Sequence, residues 1–387
     1  MSVVNVVGSS LGLGFGVILA AAGCSSSSGN SGATSGADAS TVDGAPSGAL
    51  GNCKAADITP CSSFTTPTED GGTETIELGP YGAQADPNVG TGFENTVTAS
   101  TQPGSTYCGG FASLFMEPAN LTSMLLQTSD NGIATNFALY SVYRPATWPT
   151  TPVPVITWGN GTCAQPEGYG ALLRYVASYG YFIVAANDTE VGTKNSDGSQ
   201  PMLKALDFAA AANMDSTSPY YQKLDLTKVG AMGHSQGGSA TATAASDSRI
   251  QFVIDFNAVD SNIPKPYLAI SGDKDITGFT VQSMTTAIDG ASVPAAFLYY
   301  HDPVGSSSDM LKGHLVLMLT PSRVTAQTLA WWQMTFRNDA ASTADFVGTN
   351  CGFCGHTSDS TNPYDFGEQG LPPGSGAPRE EADASAE

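Results

Sequence analysis

The chain has 387 residues, with 35 acidic against 14 basic side chains and a formal net charge of −21. That length holds one large α/β domain with tails, or two small domains. So acidic a balance disfavours nucleic acid and electrostatic attraction to anionic lipid, whereas it suits an exported protein and repels strongly anionic substrates overall.

From the amino terminus, Leu11 to Ala22 is an apolar run too short to span a bilayer. It ends in Leu19-Ala20-Ala21-Ala22-Gly23-Cys24 followed by four serines. Small residues before a cysteine suit signal-peptidase cleavage, and the stretch resembles a bacterial lipoprotein lipobox. The resemblance implies a signal peptide over residues 1–23, lipidation of Cys24 and membrane attachment through that lipid. Residues 24–60, rich in Ser, Gly, Ala and Thr at their start, read as a flexible tether. The catalytic domain is placed at 61–357 and an acidic, flexible tail at 358–387.

Strand and helix signals then alternate. Phe137–Tyr143 is a strand candidate closed by Arg144-Pro145, and Pro154–Trp158 is the next, running into Gly159-Asn160-Gly161. A helix is predicted around 168–178 and a continuous apolar strand at Tyr181–Ala186, of the kind covered on both faces. A helix at 202–212 and a strand at 228–232 follow, and the small residues after 238 form a further helix. More strands fall at 252–256, 267–271 and 296–300, and a helix at 324–336 offers Leu329, Trp331, Trp332 and Met334 for packing. This alternation predicts a mostly parallel sheet covered by helices, with no evident lid domain and no internal repeat.

Between the strand at 228–232 and its helix lies Gly233-His234-Ser235-Gln236-Gly237-Gly238, a match to G-x-S-x-G. In that context the motif is the strand–turn–helix elbow of the α/β-hydrolase fold, with Ser235 as nucleophile. A serine needs a base, and the base a buried carboxylate. In that fold they follow the serine in the order acid, histidine. The strand ending at Ser271 runs into Gly272-Asp273-Lys274-Asp275, where Asp275 is the leading acid and Asp273 the alternative. His314 is the leading base, with His301 the alternative; His234 sits inside the elbow and is expected to support it. The oxyanion requires two placed N–H donors. They are the backbone N–H groups of Gln236 and of Asn160, with Gly161 or Thr162 as neighbours of the latter. Trp158, Tyr169 and Leu315 are candidates to line an apolar acyl site.

Seven cysteines are present; with Cys24 lipidated, Cys53, Cys61, Cys108, Cys163, Cys351 and Cys354 remain as disulfide candidates. Six allow 15 pairings, and sequence does not choose among them. Cys351-Gly-Phe-Cys354 lacks a second such pair and only four histidines accompany it. A structural disulfide is therefore the better reading, and neither metal nor organic cofactor is expected.

In order along the chain, Trp158-Gly159-Asn160, Tyr179–Val184, Leu203–Phe208, Asp225–Gly230, the elbow, Ala330-Trp331-Trp332 and Phe336–Asp339 resemble the lidless bacterial polyester hydrolases. These are the cutinases and poly(ethylene terephthalate) hydrolases, with their dienelactone-hydrolase-like relatives, and the resemblance covers roughly residues 105–355. It implies cofactor-free carboxylic ester hydrolysis by Ser235, Asp275 and His314; the expected partner is an ester that can be polymeric, and the chain is expected to act as a monomer. Gln236 stands where the family usually has Met, Asn160 where an aromatic is common, and Asn257-Ala258-Val259-Asp260 lacks the substrate-stacking Trp.

Overall fold

Strands Val153–Gly159, Phe182–Ala186 and Tyr267–Gly272 are buried along their whole length. Their alternate residues serve two different cores. On one face Ile156, Trp158, Ile183, Met232, Leu268 and Ile270 share a cluster with Leu172, Val176, Trp331 and Trp332. On the other, Val155, Phe182, Val184, Ala231 and Ala269 share one with Met202, Ala209, Ala240 and Met284. A strand whose two faces are both apolar needs helices on both sides, and that requirement sets the layering.

The computed structural model describes residues 50–54, 57–67, 72–90, 139–162, 164–187, 199–258, 262–301, 313–355 and 364–371. All of them belong to one of the two compact units of the chain, Thr41–Glu387. The strands are β1 (Gly51–Cys53), β2 (Cys61–Pro67), β3 (Thr73–Glu77), β4 (Ala83–Val89), β5 (Tyr140–Pro145) and β6 (Val153–Gly159). They continue as β7 (Phe182–Ala186), β8 (Leu224–His234), β9 (Ile250–Phe256), β10 (Tyr267–Gly272), β11 (Ala295–Tyr300) and β12 (Tyr364–Gln369). The helices are α1 (Gly170–Ser178), α2 (Gln200–Met214), α3 (Gln236–Ala244), α4 (Val281–Asp289), α5 (Val316–Leu319), α6 (Ser322–Arg337) and α7 (Ala340–Phe346).

The described strands form one sheet in the order β1-β2-β4-β5-β7-β6-β8-β9-β10-β11-β12, with β3 on β2. From β7 through β6, β8, β9 and β10 to β11 every pairing is parallel. β4, β5 and β12 add antiparallel neighbours at the two ends of that block. The chain leaves β6 toward β7 on one side and leaves β8 toward β9 on the other. The carboxyl ends of β6 and β8 are therefore the point where the winding reverses, and loops diverging there open a crevice. Residue 160 follows β6 and residue 235 follows β8.

Two boundaries differ from expectation. Tyr364–Gln369 lies in the segment assigned to a flexible tail, yet it pairs with β11 over six residues. Its aromatics explain why: Tyr364 packs 5.5 Å from the Tyr300 ring, and Phe366 lies 6.1 Å from Phe346. At the other end, Gly51–Cys53 lies in the expected tether but pairs with β2, where a Cys53–Cys61 disulfide joins the two strands. The predicted helix at 168–178 begins earlier, as a 3-10 turn at Pro166–Tyr169 that passes directly into α1.

A second disulfide joins Cys351 to Cys354. Two disulfides fit an oxidising compartment. Cys24, Cys108 and Cys163, like the expected signal peptide, most of the tether and the residues after 371, lie outside the described residues. No helix among the described residues is long and apolar enough to cross a membrane.

Candidate active site

β8 delivers the chain to Ser235 in a conformation that a non-glycine residue rarely adopts, φ 55° and ψ −117°. The turn is held by the Ser235 N–H donating to Phe256 O at 2.8 Å and by α3 starting at the next residue. Its tightness is a matter of backbone approach. A Cβ on Gly237 would lie 2.1 Å from Gly159 O, so no side chain fits where the elbow passes the end of β6.

His314, beyond β11 in the chain, reaches the same point. Its Nε2 lies 2.9 Å from Ser235 Oγ and its Nδ1 lies 2.7 Å from Asp275 Oδ1. Asp275 follows β10, and its oxygens are fully engaged. Asn257 Nδ2 and Ser271 Oγ donate to Oδ2 at 2.6 and 2.8 Å, and the Thr277 N–H donates to Oδ1 at 2.9 Å. Burial by itself would raise the pKa of this carboxyl. The hydrogen bond and charge of His314, with the Thr277 and Asn257 donors, outweigh burial and hold it well below the usual carboxylate range. Asp275 is thus an anion, aimed at the histidine that, among the described residues, hydrogen-bonds the serine hydroxyl.

The two alternatives form a separate cluster. His301 Nδ1 is 3.2 Å from Asp273 Oδ2, and its Nε2 is 2.9 Å from Asp365 Oδ2 on β12. With a carboxylate on each ring nitrogen, His301 has no nitrogen left for a serine proton.

Asn160 comes directly after β6, beside the elbow. Its side chain is spent on the scaffold: Oδ1 accepts from Trp158 Nε1 at 2.9 Å, and Nδ2 donates to Ala186 O at 2.7 Å. The neighbouring Gly161 N–H donates to the Tyr169 hydroxyl at 2.9 Å and is not open to a ligand. Thr162 Oγ1 donates to Gln236 Oε1 at 2.6 Å, tying this turn to the start of α3. The Gln236 Nε2 is buried and has no hydrogen-bond partner among the described residues. Gln236 thus links two loops through its side chain, which the sequence pattern did not signal.

The three residues expected to line an acyl site are core. Trp158 and Tyr169 are 0% exposed and Leu315 is 5% exposed. Trp158 packs against the Tyr169 ring at 4.7 Å and against Phe256 at 6.2 Å. An apolar residue at the end of a doubly covered strand, or on the first turn of a covering helix, turns inward; aromatic content alone does not distinguish that from a pocket wall. Asn257 and Ser271 were not anticipated as partners of the acid. Their only sequence signal is a polar residue at the carboxyl end of each of two apolar strands. Among the described residues no group of three or more His, Cys, Asp or Glu side chains is placed to hold a metal ion.

A mostly parallel sheet with a serine elbow after β8 and a histidine–aspartate pair over it defines an α/β-hydrolase. Residues 133–287 match the family model described as PETase, PET hydrolase-like. The chain thus resembles PET hydrolase-like proteins over the stretch that contains Asn160, Ser235 and Asp275. This match supports an ester hydrolase in general terms. No curated protein matches the chain.

Proposed function

We propose that the protein is a serine carboxylic ester hydrolase of the cutinase and polyester hydrolase type, working through an acyl-enzyme on Ser235. The observation that carries this reading is the unbroken chain from Asp275 through His314 to Ser235, with both links under 3 Å. His314 Nε2 takes the Oγ proton as Ser235 attacks the ester carbonyl carbon, and Asp275 holds the resulting imidazolium through Nδ1–H. The backbone N–H groups of Gln236 and Asn160 receive the tetrahedral oxyanion, each contributing about 10²–10³ in rate. His314 returns the proton to the departing alkoxide. Water then attacks the acyl carbon through the same base, releasing the acid and free Ser235.

Turnover of p-nitrophenyl butyrate by the native chain and by Ser235→Ala tests this. The expected loss is about 10⁶-fold in kcat; equal rates would sink the proposal. Small soluble esters are a second substrate reading, favoured by the stretch Asn257-Ala258-Val259-Asp260 after β9, which carries no Trp to stack on an aromatic ester. Profiling acyl chain length and polyester film with Ser235→Ala as blank separates the two.

Export as a monomer lipidated at Cys24 completes the proposal, with the hydrolase domain extended from 61–357 to take in β1 and β12. Palmitate labelling that survives Cys24→Ala would remove the anchor from it.

A further inference from the structure

His234 is the residue before the nucleophile and it is 2% exposed. Its Nε2 lies 2.7 Å from the backbone carbonyl oxygen of His314, and its Nδ1 lies 2.9 Å from the Tyr169 hydroxyl. A carbonyl only accepts, so His234 carries its proton on Nε2. Nδ1 is then bare and accepts from the Tyr169 O–H. That hydroxyl in turn accepts the Gly161 N–H at 2.9 Å. One directed chain of hydrogen bonds therefore runs from the oxyanion turn to the backbone of the base: Gly161 to Tyr169 to His234 to His314.

Everything around this chain keeps it in one state. Burial, reinforced by the neighbouring His314, pushes the His234 pKa down to about 3, so the ring stays neutral wherever an esterase would be assayed. Burial likewise pushes the Tyr169 phenol up, so it remains a donor. The His234 and His314 rings sit 4.8 Å apart. A Cβ on residue 161 would lie 2.8 Å from His234 Nδ1 and 2.9 Å from the Tyr169 oxygen, so only glycine leaves room for the link. Asp275 orients the His314 ring from its side chain, whereas this chain grips the His314 main chain.

We propose that His234 and Tyr169 are positioning residues which lock the His314 backbone to the oxyanion turn, so that base and oxyanion donors hold one mutual geometry. This rests on Ser235 and His314 acting as proposed above. Because the lock concerns the alignment of the reacting groups, its loss falls on the chemical step and leaves ester binding nearly unchanged. A misplacement on the order of 1 Å costs about 10²-fold in rate.

The test compares native protein, Tyr169→Phe, His234→Phe, His234→Gln and Ser235→Ala on p-nitrophenyl butyrate. Rates are expressed per active serine titrated with a p-nitrophenyl phosphonate, so a partly folded preparation gives the same answer. Tyr169→Phe keeps the ring and removes both hydrogen bonds. It is expected to lower kcat about 10- to 100-fold with KM within about twofold. His234→Phe is expected to fall at least as far. His234→Gln, whose amide N–H can still donate to the His314 carbonyl, is expected to recover part of the loss. Native kcat in Tyr169→Phe, or equal kcat in the Gln and Phe variants at 234, would overturn the lock, as would a loss confined to KM. Activity persisting in Ser235→Ala would instead overturn the serine mechanism.

Discussion

Two histidine–aspartate pairs lie at the carboxyl edge of this sheet, built on the same strands, and they do different work. Asp273 and Asp275 are two residues apart after β10, and both are in contact with a histidine supplied from beyond β11. The His314 and Asp275 side chains are 5% and 0% exposed; those of His301 and Asp273 are 28% and 40% exposed. Contact with a carboxylate therefore does not identify a general base. What distinguishes His314 is the use of its second nitrogen, which meets Ser235, whereas the second nitrogen of His301 meets Asp365. The first pair runs on to the serine hydroxyl. The second is a clamp that fastens the edge strand β12 to the acid turn.

The largest expected difference between the pairs is in turnover. His314→Ala should lower kcat about 10⁶-fold, whereas His301→Ala should stay within about threefold, measured with p-nitrophenyl butyrate. Comparable losses would dissolve the distinction. Next come the acids. Asp275→Asn should cost about 10⁴-fold, because an amide presents the wrong partner to the His314 tautomer. Asp273→Asn should leave kcat nearly intact. The elbow that presents Ser235 to the first pair is exposed to a steric challenge. Gly237→Ala forces a Cβ onto Gly159 O and should destabilise the protein by about 1–3 kcal/mol in urea unfolding, with loss of activity.

The smallest effect is on stability against pH, where the pairs have opposite signs. Burial lowers the His301 pKa, but hydrogen bonds with Asp365 and Asp273 outweigh it and leave it raised. The stability it contributes is complete below the ordinary imidazole value of about 6.5 and is lost as pH rises through the raised folded value. Asp275, with a depressed folded pKa, contributes fully above about 3.9 and loses its contribution as pH falls through that depressed value. In urea unfolding, His301→Asn should be about 0.5–1 kcal/mol less stable than native at about pH 5 and nearly equal at about pH 9. A gap that widens with pH would remove the clamp.

Much of the parallel block was legible because its chemistry is local. Strands such as 154–158 and 181–186 are apolar on both faces, and α6 carries large apolar residues over four turns, so a sheet between helix layers follows from the pattern. The strands at the margins were not legible. In β3 only Ile76 is buried, and β2 carries Ser and Thr among its buried Cys61 and Phe64. Strands with one half-covered face and few apolar residues resemble loop in composition. β12 is similar: Tyr364 and Phe366 have their packing partners on β11 and α7, remote in sequence, and nothing nearby announces them. α7 is set by Asp339 capping the Ser342 N–H at 2.7 Å, a signal of a single residue.

Within the site, the elbow could be read from six consecutive residues because its steric demand is contiguous. Glycines at 233, 237 and 238 admit the turn, and the serine among them can face only one way. The choice between His314 and His301, and between Asp275 and Asp273, depends on which side chains converge across 39 and 79 residues of chain, and spacing carries no record of that. Whether Trp158 and Tyr169 face a substrate or the core is a question of the same kind. The sequence by itself determined the serine elbow, the layered sheet and the acidic, cysteine-bearing character of the chain, since each follows from neighbouring residues or from composition. Tertiary structure alone decided the partners of Ser235, the inward burial of the aromatics and the hydrogen-bonded chain through His234. Those depend on where the ends of β6, β8, β10 and β11 meet in space.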